Sequence, residues 1–130
     1  MAPSIGFAQV VVDCRGASSL GGFYSALLDR PMVDESNEFF AFIPPGSDPP
    51  FPGLMFLQVP EPRSGKNRVH IDLVTDDKAA AVARANELGA TSLGDFDEYG
   101  AVWTTLTDPE GNVFDIARRP APERLGQPDG

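Results

Sequence analysis

The spacing of apolar and polar residues along the chain predicts one pattern of strands and helix that occurs twice. The elements predicted for the first half are strands at 5–13, 32–35, 38–43 and 54–59, with a helix from Ser18 or Ser19 to about Leu28. The elements predicted for the second half are strands at 68–74, 91–96, 102–107 and 112–118, with a helix at 78–88. The order βαβββ therefore occurs twice, which predicts an α+β fold of two similar modules.

Local signals in the second half indicate where its elements begin and end. Thr75 is a good helix N-cap residue, and Asp76 and Asp77 favour the positive end of a helix dipole. Gly89 is typical of the residue that follows a helix. The run Asp108–Gly111 has the residue types of a tight turn, because proline presets φ at the second position.

The two modules, at about 5–59 and 68–118, are expected to form a single domain over 1–118, followed by a flexible tail over 119–130. Their sheets would join into a curved mixed sheet around one cleft, with the helices on the outer faces. The loop Pro44–Gly53 is rich in proline and glycine, but strand signals continue on both sides of it. It is therefore not predicted to be a linker between domains.

Strand alternation selects the polar side chains that would face this cleft. On the strand at 68–74, Val69, Ile71 and Leu73 share one face, which leaves His70 on the other. The same alternation selects three more polar residues, which are Gln9, Gln58 and Asp115. An imidazole, a carboxylate and two amide oxygens can hold a divalent metal ion. They can equally form a hydrogen-bonded polar lining, and spacing alone leaves both readings open.

Aromatic residues on the same strands predict a binding surface for flat or extended ligands. Trp103 shares a face with Thr105, and Phe56 is expected on the face of Gln58. The other candidate contacts are Phe40, Phe42 and Tyr99. Ordinary core packing is the alternative for each of these rings.

The net charge of −9 disfavours nucleic acid and anionic membranes as partners. It fits either simple solubility or attraction of a cationic ligand. Cys14 is the single cysteine, which fits a reducing compartment, and neither a signal peptide nor a membrane-spanning stretch is expected from the residue pattern. These features predict a cytoplasmic protein.

Three segments resemble the vicinal oxygen chelate superfamily, in its glyoxalase-like subgroup. They are Gly22–Leu28, Lys66–Leu73 and Asp108–Asp115. That superfamily includes glyoxalase I, bleomycin resistance proteins, fosfomycin resistance enzymes and extradiol dioxygenases. The resemblance covers about residues 5–118 and implies the glyoxalase/bleomycin-resistance fold, a small-molecule ligand and a homodimer.

The resemblance also implies that the metal positions of the family fall on Gln9, Gln58, His70 and Asp115. The chain departs from glyoxalase I at two of these, with Gln58 in place of an acidic residue and Asp115 in place of Glu. Asp is one methylene shorter, and no Glu remains as the base of the isomerase. The cofactor is therefore expected to be either none or a divalent metal ion.

Two functions follow as hypotheses. The first, slightly favoured, is a binding protein that sequesters an antibiotic or another aromatic or cationic natural product, as resistance proteins do. The second is a divalent-metal-dependent lyase, isomerase or dioxygenase that uses the same cleft. A regulatory or purely structural module is a third reading, without a feature of its own in its favour.

Overall fold

The structure is a computed structural model in which residues 2–120 are described. It has an α+β fold that contains two βαβββ-like units, and this confirms the predicted class. Backbone contacts group the chain up to Arg63 into one compact unit and the chain from Ser64 into another. Most of the predicted tail, from residue 121 onward, lies outside the described residues. None of the described helices is long and apolar enough to cross a membrane.

The described residues of the first unit form one helix, a small mixed sheet and a short hairpin. The elements are β1 (Gln9–Cys14), α1 (Ala17–Leu28), β2 (Phe40–Ile43), β3 (Gly46–Ser47), β4 (Pro50–Phe51) and β5 (Gly53–Gln58). The main sheet has the order β1-β5-β2, with β5 parallel to β1 and antiparallel to β2. Strands β3 and β4 pair separately and form a short hairpin within the proline-rich loop.

Helix α1 covers one face of this sheet because its apolar stripe is buried there. Leu20, Phe23 and Tyr24 are all buried, and the Tyr24 ring stacks on Phe56 of β5 with centroids 5.8 Å apart. The helix begins at Ala17, with Gly16 as an N-cap that has no side-chain hydrogen bond. The prediction that a serine caps this helix is therefore wrong.

The strand predicted at 32–35 does not form. The segment instead lies beside β2 through two backbone hydrogen bonds, from Val33 N to Phe42 O and from Asn37 N to Phe40 O. A turn between them, closed by Ser36 N and Val33 O, prevents a continuous ladder.

The described residues of the second unit form a four-stranded mixed sheet and one helix. Its elements are β6 (Ile71–Thr75), α2 (Lys78–Leu88), β7 (Thr91–Glu98), β8 (Ala101–Thr107) and β9 (Val113–Arg118). The strand order is β6-β9-β8-β7, in which only the β6–β9 pair is parallel.

The predicted bounds of α2 are confirmed, and Gly89 ends the helix with a φ of 119°. The predicted N-cap is wrong by two residues. Asp77 caps the helix by accepting from Ala80 N, while the Thr75 hydroxyl accepts from Asp77 N. The predicted turn is present, since Gly111 N donates to Asp108 O at 2.8 Å.

Candidate functional site

The sheet of the second unit has one face under α2 and an opposite face that no described helix of this unit covers, which we call the helix-free face. Thr104, Leu106, Phe114 and Ile116 are all buried. The Lys78 ammonium of α2 donates to Thr104 Oγ1 at 2.7 Å, which identifies this side as the one that α2 covers. By strand alternation, Trp103, Thr105 and Asp115 lie on the helix-free face, as predicted. The register also places Asp72 there, because it pairs with Asp115 across β6 and β9.

His70 lies on this helix-free face between two carboxylates. Its Nε2 is 3.1 Å from Asp72 Oδ1 and 3.4 Å from Asp115 Oδ2. One ligand atom from each of the three residues lies within 4.8 Å of the others, and we refer to them as the His70 cluster. The side chains of His70 and Asp72 are 45% and 67% exposed, whereas that of Asp115 is only 18% exposed. Asp115 therefore lies at the base of the cluster, and Asp72 at its solvent side.

The Asp115 carboxylate is held by Thr105, its partner on β8. Thr105 Oγ1 donates to Asp115 Oδ1 at 2.7 Å. The second oxygen, Oδ2, is the one that lies near His70. Each carboxylate oxygen thus has its own neighbour, and this limits rotation of the Asp115 side chain.

An aromatic pair lies next to the His70 cluster on the same face. Phe96 of β7 pairs with Trp103 of β8, and their rings are stacked with centroids 5.2 Å apart and an interplanar angle of 17°. Trp103 pairs with Ala117 on β9, two residues beyond Asp115, so Trp103 and Asp115 are diagonal neighbours. Such neighbours lie roughly 7–8 Å apart, which one small ligand can span.

The helix-free face of the first unit carries three more of the predicted contact residues. Gln9 pairs with Gly53, while Phe40 and Phe42 pair with Leu57 and Met55. A Cβ at Gly53 would lie 3.1 Å from the Phe42 ring and 3.3 Å from Gln9 Cβ. The Phe42 ring therefore lies across Gly53, next to Gln9, and a side chain at position 53 would crowd it.

Phe56 does not lie on the face predicted for it. It is fully buried and stacks on Tyr24, because α1 covers the face of β5 that carries Leu54 and Phe56. Gln58 belongs to the same face by alternation, and its Nε2 donates to the Arg15 carbonyl at 2.7 Å. The prediction that Phe56 and Gln58 face away from the helix is therefore wrong.

The predicted metal set of Gln9, Gln58, His70 and Asp115 does not fit this register. In the parallel pair, Gln9 lies opposite Gly53 and Gln58 lies opposite Cys14, five residues further along. Five residues of strand span about 16 Å. Gln9 and Gln58 also project from opposite faces, so they cannot bind one ion together.

Tyr99 lies in the turn between β7 and β8, with φ of 54°, followed by Gly100 with φ of 79°. Its side chain is fully exposed. The turn itself, with two consecutive positive φ angles, is the kind that favours a two-residue hairpin.

Two residues of the site were not predicted as contacts. Asp72 lies two positions after His70 on one strand, so the alternation that selected His70 also applied to it. The face of Phe96 was harder to predict from the sequence. The register of β7 shifts between Ser92 and Gly94, and this irregularity interrupts the simple alternation of faces along the strand.

Most of the described chain matches the model of one protein family. A model described as the glyoxalase-like domain matches residues 9–117. The chain belongs to this family. The match extends over both units and confirms the resemblance seen in the sequence.

Solved structures share this fold at low sequence identity. A glyoxalase/bleomycin resistance protein/dioxygenase family enzyme from Burkholderia phytofirmans PsJN is 21% identical, with a TM-score of 0.71 over 85% of this chain and 96% of its own. The fosfomycin resistance protein FosX from Mesorhizobium loti is 16% identical, with a TM-score of 0.69 over 93% and 98%. FosX from Listeria monocytogenes is 12% identical, with a TM-score of 0.70 over 95% and 100%. No curated protein matches the sequence.

Proposed function

We propose that the helix-free face of the second unit binds a small aromatic ligand with a cationic group, and holds it without changing it. The observation that supports this most is the stacked Phe96–Trp103 pair, in which Trp103 is a diagonal neighbour of Asp115 in the His70 cluster. An aromatic ring can stack on the indole, while a cation lies near Asp72 and Asp115. The net charge of −9 favours the same class of ligand.

Sequestration of an antibiotic or another natural product is the form of this proposal that the structural neighbours favour. Two of them are named for fosfomycin resistance and others for bleomycin resistance. At such low identity these names do not identify a ligand, so the ligand class rests on the aromatic pair and the charges.

The test uses Trp103, the only tryptophan in the chain, as the reporter. Aromatic cations, their neutral isosteres and aromatic anions are titrated while the indole fluorescence is recorded. We expect saturable quenching by cations, and affinity about tenfold lower in the double variant Asp72→Asn/Asp115→Asn, as for loss of one charged contact. Asp97→Asn is the matched control, because Asp97 lies on the same sheet but alternates to the other face. Equal affinity for cations and neutral isosteres would contradict the role of the carboxylates.

The His70 cluster supports a second candidate, a divalent-metal-dependent lyase, isomerase or dioxygenase. With Asp72, the cluster offers two carboxylates and one imidazole within 4.8 Å, all from the second unit. That donor set suits a transition metal, and three protein ligands leave positions for water or substrate. His70, Asp72 and Asp115 would hold the ion, which when bound would supply Lewis-acid activation of an oxygen-bearing substrate.

Metal content separates the two candidates. Tag-free protein is loaded with Zn²⁺ or Co²⁺, desalted and analysed for metal, together with His70→Ala and Asp72→Asn. The enzyme candidate requires about one ion per chain in the wild type and loss of that ion in both variants. If the protein retains no metal but its Trp103 fluorescence is still quenched by aromatic cations, the result would favour the binding protein.

We also propose that the chain forms a homodimer in the cytoplasm. Several large apolar side chains are exposed on the isolated chain, among them Ile5, Phe7 and Val69 at 89%, 78% and 77%, which a second copy could cover. Cys14 is the single cysteine of the chain, and its thiol is buried, which fits a reducing compartment. Light scattering in solution tests the assembly, and a mass equal to one chain would contradict it.

A further inference from the structure

The segment that leads into β6 is anchored by the side chain of Asn67. Every residue between Glu61 and His70 is exposed except Asn67, which is half-buried. The Asn67 amide nitrogen donates to the carbonyl oxygens of Val69, at 2.8 Å, and Val113, at 3.0 Å. Its amide oxygen accepts from Val113 N at 2.8 Å.

The two hydrogen bonds between Asn67 and Val113 replace the backbone donor and acceptor that a neighbouring strand would provide. A side-chain amide carries one acceptor and two donors, and here it pairs with both the N–H and the carbonyl of one β9 residue. The register of β6 on β9 begins with Ile71 opposite Phe114. Asn67 therefore extends the attachment to β9 by one residue beyond that first pair, to Val113.

His70 lies between two attachments of its segment to β9, one through the Asn67 side chain and one through the backbone ladder. On its N-terminal side the Val69 carbonyl is bound by Asn67, which also holds Val113, and on its C-terminal side Ile71 belongs to the ladder. The same strand carries Asp115, whose Oδ2 is 3.4 Å from His70 Nε2. The His70 side chain is 45% exposed, so packing holds it only in part. Its position therefore also depends on how the backbone of His70 is held.

We propose that Asn67 is a positioning residue for His70, and that its amide fixes the imidazole against Asp72 and Asp115. This rests on the proposed function only in that His70 faces the ligand. Replacement by Asp is the sharpest change, because Asp keeps the acceptor for Val113 N. It cannot donate to the carbonyls of Val69 and Val113, and it places a negative charge beside both oxygens.

The test measures the His70 side chain directly, without ligand or metal. His70 is the only histidine in the chain, so its ring signals need no assignment by mutation. Three-bond couplings from His70 Cγ to its backbone nitrogen and carbonyl carbon report the χ1 rotamer. We expect single-rotamer values in the wild type, and a largest coupling reduced about twofold by rotamer averaging in Asn67→Asp and Asn67→Ala. Lys66→Ala, at the exposed neighbouring position, is the control and keeps the wild-type couplings.

Two results would overturn the proposal. Averaged couplings in the wild type would mean that His70 is not held at all. Unchanged couplings in a folded Asn67→Asp protein with a lowered melting temperature would mean that Asn67 acts on stability alone. Asn67→Gln, which keeps the amide but moves it by one methylene, serves the same test if Asn67→Ala does not fold. Because nothing is added to the protein, failure of ligand binding would leave this result unaffected.

Discussion

The two carboxylate oxygens of Asp115 have different neighbours. Thr105 donates to one oxygen, and His70 lies beside the other. This arrangement links a cross-strand pair within the sheet to the imidazole that precedes β6. The position of the His70 cluster therefore depends on β8 as well as on β6 and β9.

Removal of the Thr105 hydroxyl should lower stability, because it leaves a largely buried carboxylate oxygen without its donor. For Thr105→Val we expect a loss of about 1–2 kcal/mol in the free energy of unfolding, measured by urea denaturation. Thr107→Val, at the next position on the same face of β8, should change it by less than about 0.5 kcal/mol. A loss of the same size in both variants would indicate a general effect of valine on the strand.

Asp95 gives the second unit a contribution to stability that depends on pH. The Thr104 hydroxyl donates to its carboxylate and the Lys78 ammonium lies 3.5 Å away, so the pKa of Asp95 is held below its ordinary value of 3.8. A lowered pKa in the folded state stabilises the protein above the unfolded value, and this contribution is lost as the pH falls through the folded value.

We therefore expect wild type to exceed Asp95→Asn in stability by a constant amount well above pH 3.8, and by less as the pH falls toward and below that value. Urea denaturation between about pH 3 and pH 7 measures the difference. A difference that grows toward acid would have the wrong sign for this carboxylate.

At the scale of elements, helix α1 packs closely against its neighbours at Gly21. A Cβ there would lie 2.9 Å from Met32 Sδ, 3.1 Å from Ala41 Cβ and 3.2 Å from the Phe56 ring. At Gly22, one residue further, a Cβ would meet nothing within 4 Å. The two neighbouring glycines therefore have different physical reasons to be present.

Alanine substitution should have opposite effects at these two positions. Gly21→Ala should destabilise by about 1–3 kcal/mol, because the added methyl group crowds a buried contact. Gly22→Ala should stabilise by about 0.5–1 kcal/mol, because alanine favours the helix without meeting a neighbour. Thermal unfolding followed by circular dichroism compares them, and equal effects would contradict the close approach at Gly21.

At the scale of the whole molecule, the net charge of −9 attracts cationic ligands and repels anionic ones. The carboxylates of the His70 cluster are on or near the surface, where added salt screens them. Ligand selection by charge should therefore weaken as ionic strength rises.

We expect the dissociation constant of an aromatic cation to rise several-fold between about 20 and 300 mM NaCl, over which the Debye length shortens severalfold. That of its neutral isostere should change little. Trp103 fluorescence measures both constants under the same conditions. An equal salt effect on the two compounds would exclude electrostatic selection.

The sequence by itself determined the features that depend on local periodicity. Alternation correctly placed Trp103, Thr105 and Asp115 opposite the buried residues of their strands, because neighbouring side chains in a strand must point to opposite faces. The bounds of α2 and the turn at Asp108–Gly111 likewise follow from short-range signals. The doubled βαβββ pattern and the three family segments were enough to identify the fold.

Only the tertiary structure decided which residues meet across strands. Gln9 and Gln58 are separated because the parallel register aligns them with different residues, and Phe56 is buried because α1 covers its face. The approach of Asp115 to His70, and of Val113 to Asn67, likewise depends on the pairing of β6 with β9. Register between strands that are far apart in the chain is set by long-range pairing and packing, which local periodicity does not encode.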